Sequence, residues 1–178
     1  MWLWILVPVV IILLWYIGTV NGFRVLEVKI NEALSGIDVA LTKRFDTLTK
    51  MWDLAKKYMA HEEATLTKVV ELRQQSTGTV EDAQKLNDEM AKLQAGINVV
   101  VEQYPDLKAN QTIQEVQSAS LDGEEHLQAA RRLYNSNVSA FNRKVVVFPA
   151  SIVASMIGAS KKNFFEAEEI KRNDVKFD

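Results

Sequence analysis

The chain has 178 residues, 48% of them hydrophobic, with 21 basic against 23 acidic side chains, a net charge of −2 and no cysteine. Without a basic block it lacks the concentrated positive face that nucleic-acid binding requires, and without cysteine it has neither disulfides nor thiolate metal sites. Only 7 glycines and 3 prolines leave room for few turns, which suits a mostly helical chain.

The first stretch, Trp2 to Val20 (WLWILVPVVIILLWYIGTV), has no charged residue. A helix crosses a ~30 Å hydrocarbon core with about 20 apolar residues, and this run is close to that minimum. Trp2 and Trp4 at one end and Trp15 and Tyr16 near the other match the aromatic belts of the two membrane interfaces. Pro8 lies inside, where a lipid-embedded helix tolerates it better than a soluble one. A cleaved signal peptide would carry Lys or Arg before the run and a small-residue cleavage site after it. Nothing basic precedes it, and Tyr16 to Val20 is a poor cleavage site. Residues 1–23 therefore read as an uncleaved transmembrane anchor and 24–178 as one helical domain. Arg24 and Lys29 follow the span, so the positive-inside rule favours the cytoplasm for that domain.

From Arg24 to about Gln75 there is no proline. Ile30, Leu34, Ile37, Leu41, Leu48, Met51, Ala55 and Tyr58 form a heptad-like seam, continued by Val69 and Leu72. Val39, Phe45, Trp52, Met59, Leu66 and Val70 broaden it, as for a helix touching more than one neighbour. Unbroken, this helix would be ~75 Å long at ~1.5 Å per residue, running out of the anchor with Asn21-Gly22 as the hinge. Arg44 and Glu62 interrupt the seam. Each either snorkels to solvent or meets a buried partner. Asp38, Arg44, Asp46, Glu62, Arg131 and Arg132 are the candidates for inter-helix or inter-subunit polar contacts.

Ser76 to Thr79 reads as a turn, with Gly78 at C′ and Thr79 capping the next helix in a loose capping box with Asp82. The second helix is expected from Val80 to Gln103, on the seam Ala83, Leu86, Met90, Leu93, Ile97, Val100, Tyr104, with Gly96 allowing close packing. Pro105 stops it. Tyr104, Pro105, Asp106 and Asn110 form a candidate structural corner. A third long helix runs from Gln111, capped by Asn110, to Phe148. Its seam passes through Ser120 and Gly123, small where a partner helix comes near, and Pro149 ends or kinks it. Ala150 to Ala159, too short to span a bilayer, reads as a short bundle helix, and Asn163 to Asn173 as a charged, weakly amphipathic one. The fold class is all-α: an N-terminal transmembrane helix, then an up-down-up antiparallel bundle of three long helices completed by one or two short C-terminal helices.

Chemistry is sparse. His61-Glu62 begins like a zinc metalloprotease motif, but the second histidine needed four residues on is Thr65. His126 stands on another helix, and no nucleophile elbow or phosphate-binding glycine loop occurs. No catalytic residue, metal or cofactor is expected.

Several phrases together resemble the LemA family: Ile37-Asp38-Val39 with Lys43-Arg44-Phe45-Asp46, Tyr58-Met59-Ala60-His61-Glu62, Tyr104-Pro105-Asp106-Leu107-Lys108-Ala109-Asn110, Glu124-Glu125, Ala130-Arg131-Arg132 with Tyr134-Asn135, Phe141-Asn142, Phe148-Pro149 and Phe164-Phe165-Glu166. The resemblance covers nearly the whole chain, and YPDLKAN is its most specific item. One departure is that the family usually reads Ile-Pro-Asn-Leu-Val where this chain has Thr47-Leu48-Thr49-Lys50-Met51. Losing that proline frees the first helix to continue straight. The resemblance implies a bacterial inner-membrane protein of the envelope or membrane-organising kind. Some relatives are associated with a membrane-bound zinc metalloprotease, and one with magnetosome membrane formation. Others carry a lipoprotein signal, a lipidation this cysteine-free chain cannot receive. The function expected is a membrane-anchored, non-enzymatic scaffold that meets the bilayer and copies of itself. The alternative is an adaptor or regulator of another membrane protein, such as that metalloprotease.

Overall fold

The computed structural model describes residues 2–56 and 78–166. The far end of the expected first helix, with Tyr58, His61 and Glu62, lies outside them, as does everything beyond Glu166. Five helices are described, α1 (Trp2–Ala55), α2 (Val80–Gln103), α3 (Pro105–Lys108), α4 (Gln111–Val146) and α5 (Ala150–Met156), and no strand among the described residues.

The chain is all-α, and α1 is one helix of 54 residues that passes without a break through Pro8, Asn21-Gly22 and Thr47-Leu48-Thr49. Its threonines satisfy their own hydroxyls inside the helix. Thr19 donates to the Trp15 carbonyl, Thr42 to Asp38, Thr47 to Lys43 and Thr49 to Phe45, all at 2.9–3.0 Å. Gly22 is not a hinge. The space its missing side chain leaves is occupied by the Lys144 ammonium.

The described residues fall into two compact units, one holding 2–33 and 132–164, the other 34–56, 78–131 and 165–166. In the first, α4 runs antiparallel to α1. The Asn137 amide donates to the Lys29 carbonyl (3.0 Å), Phe141 meets Phe23 edge-on with centroids 5.5 Å apart, and Lys144 lies beside Gly22. Phe23, Ile30, Ala33, Tyr134, Val138, Phe141, Val153 and Ala154 are its buried hydrophobic residues. The Lys144 ammonium sits 4.9 Å over the Phe23 ring, and burial lowers its pKa below the usual lysine range. After Val146 the chain turns through a cis Phe148-Pro149 peptide into α5. α5 closes on Gly158, which takes a left-handed φ of 70° while the Ala159 N–H reaches back to the Ala154 carbonyl at 2.9 Å.

In the second unit, α2 and α4 form an antiparallel pair about α3. Gln94 reaches Ser120, Asn87 and Glu124 share Arg44, and Gln84 and Arg131 share Glu166. Ile37, Leu41, Leu48, Met51, Ala83, Leu86, Met90, Leu93, Ile97, Leu107, Ile113 and Leu127 form the core. The ends of α2 are those its signals imply: Thr79 accepts from the Asp82 N–H (3.1 Å), and Pro105 follows the C-cap Tyr104. Two seam positions differ. Val101 is buried in place of Val100, because a 3.6-residue helix drifts from a strict heptad over about five turns from Ala83, and Tyr104 is exposed as the extended C-cap beyond the helix.

The small residues divide. Ser120 is buried and hydrogen-bonded. A methyl added at Gly96 or Gly123 would meet no heavy atom within 4 Å, so neither marks a close helix approach, and Gly36 is the same. Each of Gly36→Ala, Gly96→Ala and Gly123→Ala is therefore expected to stabilise the chain by about 0.5–1 kcal/mol through helix propensity alone. The measurement is the thermal midpoint of the full chain in detergent, and a lowered midpoint would reveal a close contact at that position.

The expected helix from Asn163 does not begin there. Residues 159–166 are non-helical. Their backbone groups are engaged by side chains of the long helices, which substitute for an intrahelical ladder.

Candidate functional site

Arg44 falls at a seam position, three residues after Leu41 and four before Leu48, both buried. The face that buries those leucines carries the guanidinium inside with them, and the residue is 4% exposed. Its Nη1 donates to Asn87 Oδ1 at 2.6 Å and lies 3.3 Å from Glu124 Oε2, while Nη2 donates to Gln94 Oε1 at 3.1 Å. Gln94 Nε2 in turn donates to Ser120 Oγ at 2.9 Å. One cation, one carboxylate, two amides and a hydroxyl thus tie α1, α2 and α4 at a single level. The planar fork of arginine spreads its donors over acceptors on two different helices. Chemically the cluster fixes which residues of the three helices stand opposite one another.

A second set of contacts lies along α4, where Arg131, Tyr134 and Asn142 recur at three- and four-residue multiples on one face. In the second unit, Arg131 stacks 4.5 Å from the centroid of the buried Phe165 ring and donates to the Glu166 carbonyl at 2.5 Å. Gln84 Oε1 accepts the Glu166 N–H at 3.3 Å. In the other unit, the Tyr134 hydroxyl donates to the Asn163 carbonyl at 3.2 Å. Asn142 pairs with Lys162 as a strand would, accepting its N–H and donating to its carbonyl, both at 2.8 Å. Residues 162–166 are thereby strapped down by side chains.

The corner is made by backbone. Pro105 occupies the first position of α3, and Leu107 is its buried residue. The Lys108, Ala109 and Asn110 N–H groups bond back to Tyr104, Pro105 and Leu107. Asn110 Oδ1 then accepts the Thr112 N–H at 2.8 Å, capping α4. Asp106 lies exposed in the first turn of α3.

Asp38, Asp46 and Arg132 lie exposed on helix surfaces, and Glu62 lies outside the described residues. Sequence reasoning missed Asn87, Gln94 and Glu124 as partners of Arg44, and Ser120 as the partner of Gln94. The available signal was Arg44 itself: a cation on a seam calls for amides or carboxylates on the facing seams. His126 is exposed on α4 and His61 is outside the described residues. Among the described residues no three His, Cys, Asp or Glu side chains stand close enough to hold a metal ion.

The N-terminal part of α1 differs from all the rest. Ile5, Leu6, Val7, Val9, Val10, Ile11, Ile12, Leu13 and Leu14 are exposed around the whole circumference, as are Trp2, Trp4 and Trp15, with Tyr16 half-buried. This helix is long and apolar enough to cross a membrane.

The profile of the family described as LemA family matches residues 33–178. The chain is also 29% identical over 163 residues to a protein named Protein LemA from Metamycoplasma hominis, an alignment covering 90% of this chain and 74% of that one.

Proposed function

The chain belongs to the LemA family, and from that premise we propose that it is a single-pass membrane protein whose helical domain is a non-enzymatic scaffold that assembles with copies of itself. The observation that carries this reading is the continuity of α1. Apolar on every face up to Gly18, the same helix buries Phe23 and then Ile30, Ala33, Ile37 and Leu41 without a break. A bilayer satisfies the first part and the folded core the second, so the anchor passes orientation to the domain as well as location. Arg24 and Lys29 favour the cytoplasmic side for the domain. Val39, Val99 and Leu121 stand exposed and supply apolar area that a second copy can cover.

Native mass measurement of the full chain in lipid nanodiscs tests the proposal. Multiples of the 20.1 kDa protomer are expected. A monomer at every concentration would remove self-association. A stoichiometric foreign partner retained in mild detergent would favour the adaptor role.

A further inference from the structure

We propose that the α4–α5 turn, Val146 to Met156, is a second membrane contact, an interfacial element that seats its apolar side chains in the headgroup–acyl boundary beside the span. The proposal rests on reading Trp2 to Val20 as membrane-embedded.

Three observations converge on it. The first is height. α4 descends α1 in antiparallel register, Asn137 at Lys29, Phe141 at Phe23 and Lys144 at Gly22. Two residues past Lys144, about 3 Å further at ~1.5 Å per residue, α4 ends at Val146. That is the level of Val20, where the span ends, and Phe148 follows.

The second is exposure of apolar groups with no fold-internal reason. Phe148 is 76% and Met156 68% exposed, and Val146, Val147 and Ile152 are each at least half exposed. α5 buries Val153 and Ala154 on one face, while Ile152 and Met156, one turn apart, present a second apolar face outward. A short helix apolar on both sides is costly in water and ordinary at a bilayer surface.

The third is charge. Val145 to Ser160 carries no charged residue and is bounded by Arg143-Lys144 on one side and Lys161-Lys162 on the other. Paired basic residues flanking an apolar turn place ammonium and guanidinium groups at the height of anionic headgroups, with their stems along the apolar surface. Arg143 and Lys161 are exposed and free to do so, while Lys144 and Lys162 hold their ammonium groups over the Phe23 and Phe141 rings, 4.9 and 5.3 Å from the centroids.

The turn is too short to cross the bilayer, so it lies in the interface. A tether fixed at one point can tilt and rotate. A span with a second contact beside it holds the unit that contains both, residues 2–33 and 132–164, in one orientation against the membrane.

The absence of native cysteine makes the test direct. Phe148→Cys, Ile152→Cys and Met156→Cys, each carrying an environment-sensitive NBD dye, are reconstituted as full chains in vesicles of phosphatidylcholine with a minority of phosphatidylglycerol. Leu13→Cys serves as the span control. Ser136→Cys, exposed on α4 ten residues before its end at Val146, about 15 Å at ~1.5 Å per residue, serves as the water control. The expected result is blue-shifted emission at 148, 152 and 156, lost to a lipid nitroxide near the top of the acyl chain more than to one at its end. Leu13→Cys shows the reverse preference and Ser136→Cys neither. Water-like emission at all three turn sites with Leu13→Cys still quenched overturns the contact and leaves the anchor standing. Blue-shifted emission that no lipid nitroxide quenches means that protein, such as a second copy, covers the turn, and overturns the contact too. Loss of quenching at Leu13→Cys removes the anchor and this inference with it.

Discussion

Arg44→Ala is expected to destabilise the full chain by about 3–5 kcal/mol, the range for removing one partner of a buried charge cluster. The loss does not come from the attraction alone. Asn87 is fully buried, so its amide oxygen keeps no route to water once the guanidinium is gone. Glu124 differs. Its side chain is 27% exposed, and it can turn outward. Glu124→Gln is therefore expected to cost about 1 kcal/mol or less, nearer to a surface pair than to a buried one. Arg44→Lys keeps the charge but offers a point donor where three acceptors need a fork, and should cost about 2 kcal/mol. The distinguishing experiment is the triple variant Arg44→Met, Asn87→Leu, Glu124→Leu. If the polar cluster specifies register more than it stabilises, this apolar replacement recovers most of the Arg44→Ala loss. Urea unfolding followed by helical circular dichroism reads all four. An Arg44→Ala loss under about 1 kcal/mol would mean that the guanidinium is effectively hydrated.

What was legible in the sequence is what is local. α2 begins at Thr79-Val80 and ends before Pro105 because a hydroxyl cap and a proline act within one turn of themselves. α4 begins at Asn110 for the same reason, but its end comes at Val146, short of Phe148, since the residue before a proline is pushed out of the helical region. The same rules misled at Pro105. It stops α2, but it also fits the first position of a helix, and α3 starts on it. Arg44 shows where local reasoning runs out. Its place on the seam is a count of residues, whereas its fate depends on Asn87, Gln94 and Glu124, 43 to 80 positions away in sequence. Asn163 to Glu166 fails likewise. The pattern there suits a helix, but Tyr134 and Asn142 take the backbone groups a helix would use, and no local propensity encodes that competition.

Phe165→Ala is expected to cost about 3 kcal/mol, the lower end of the range for emptying a buried aromatic site, and its effect should be local as well as global. Phe165 is buried, and its ring carries the Arg131 guanidinium on one face. Removing it takes away apolar burial and the cation–π contact together, and leaves the Arg131–Glu166 hydrogen bond to hold the segment. The preceding Lys161-Lys162 pair offers trypsin a site that opens only when the chain lifts from α4, because Asn142 holds both backbone groups of Lys162. If opening is fast and cleavage slow, the cutting rate follows the open population, so about 3 kcal/mol predicts a roughly hundredfold rise. Asn142→Ala should raise the same rate about tenfold, since it removes two hydrogen bonds but no packed ring. Arg131→Lys separates the remaining contributions. Lysine keeps the cation over the ring but loses the planar stack and the second donor, so it should fall between wild type and Phe165→Ala. Equal cutting rates for wild type and Phe165→Ala would show that the clamp at Lys162 holds without the ring. A large rise for Phe165→Ala with none for Asn142→Ala would assign the strap to apolar packing alone.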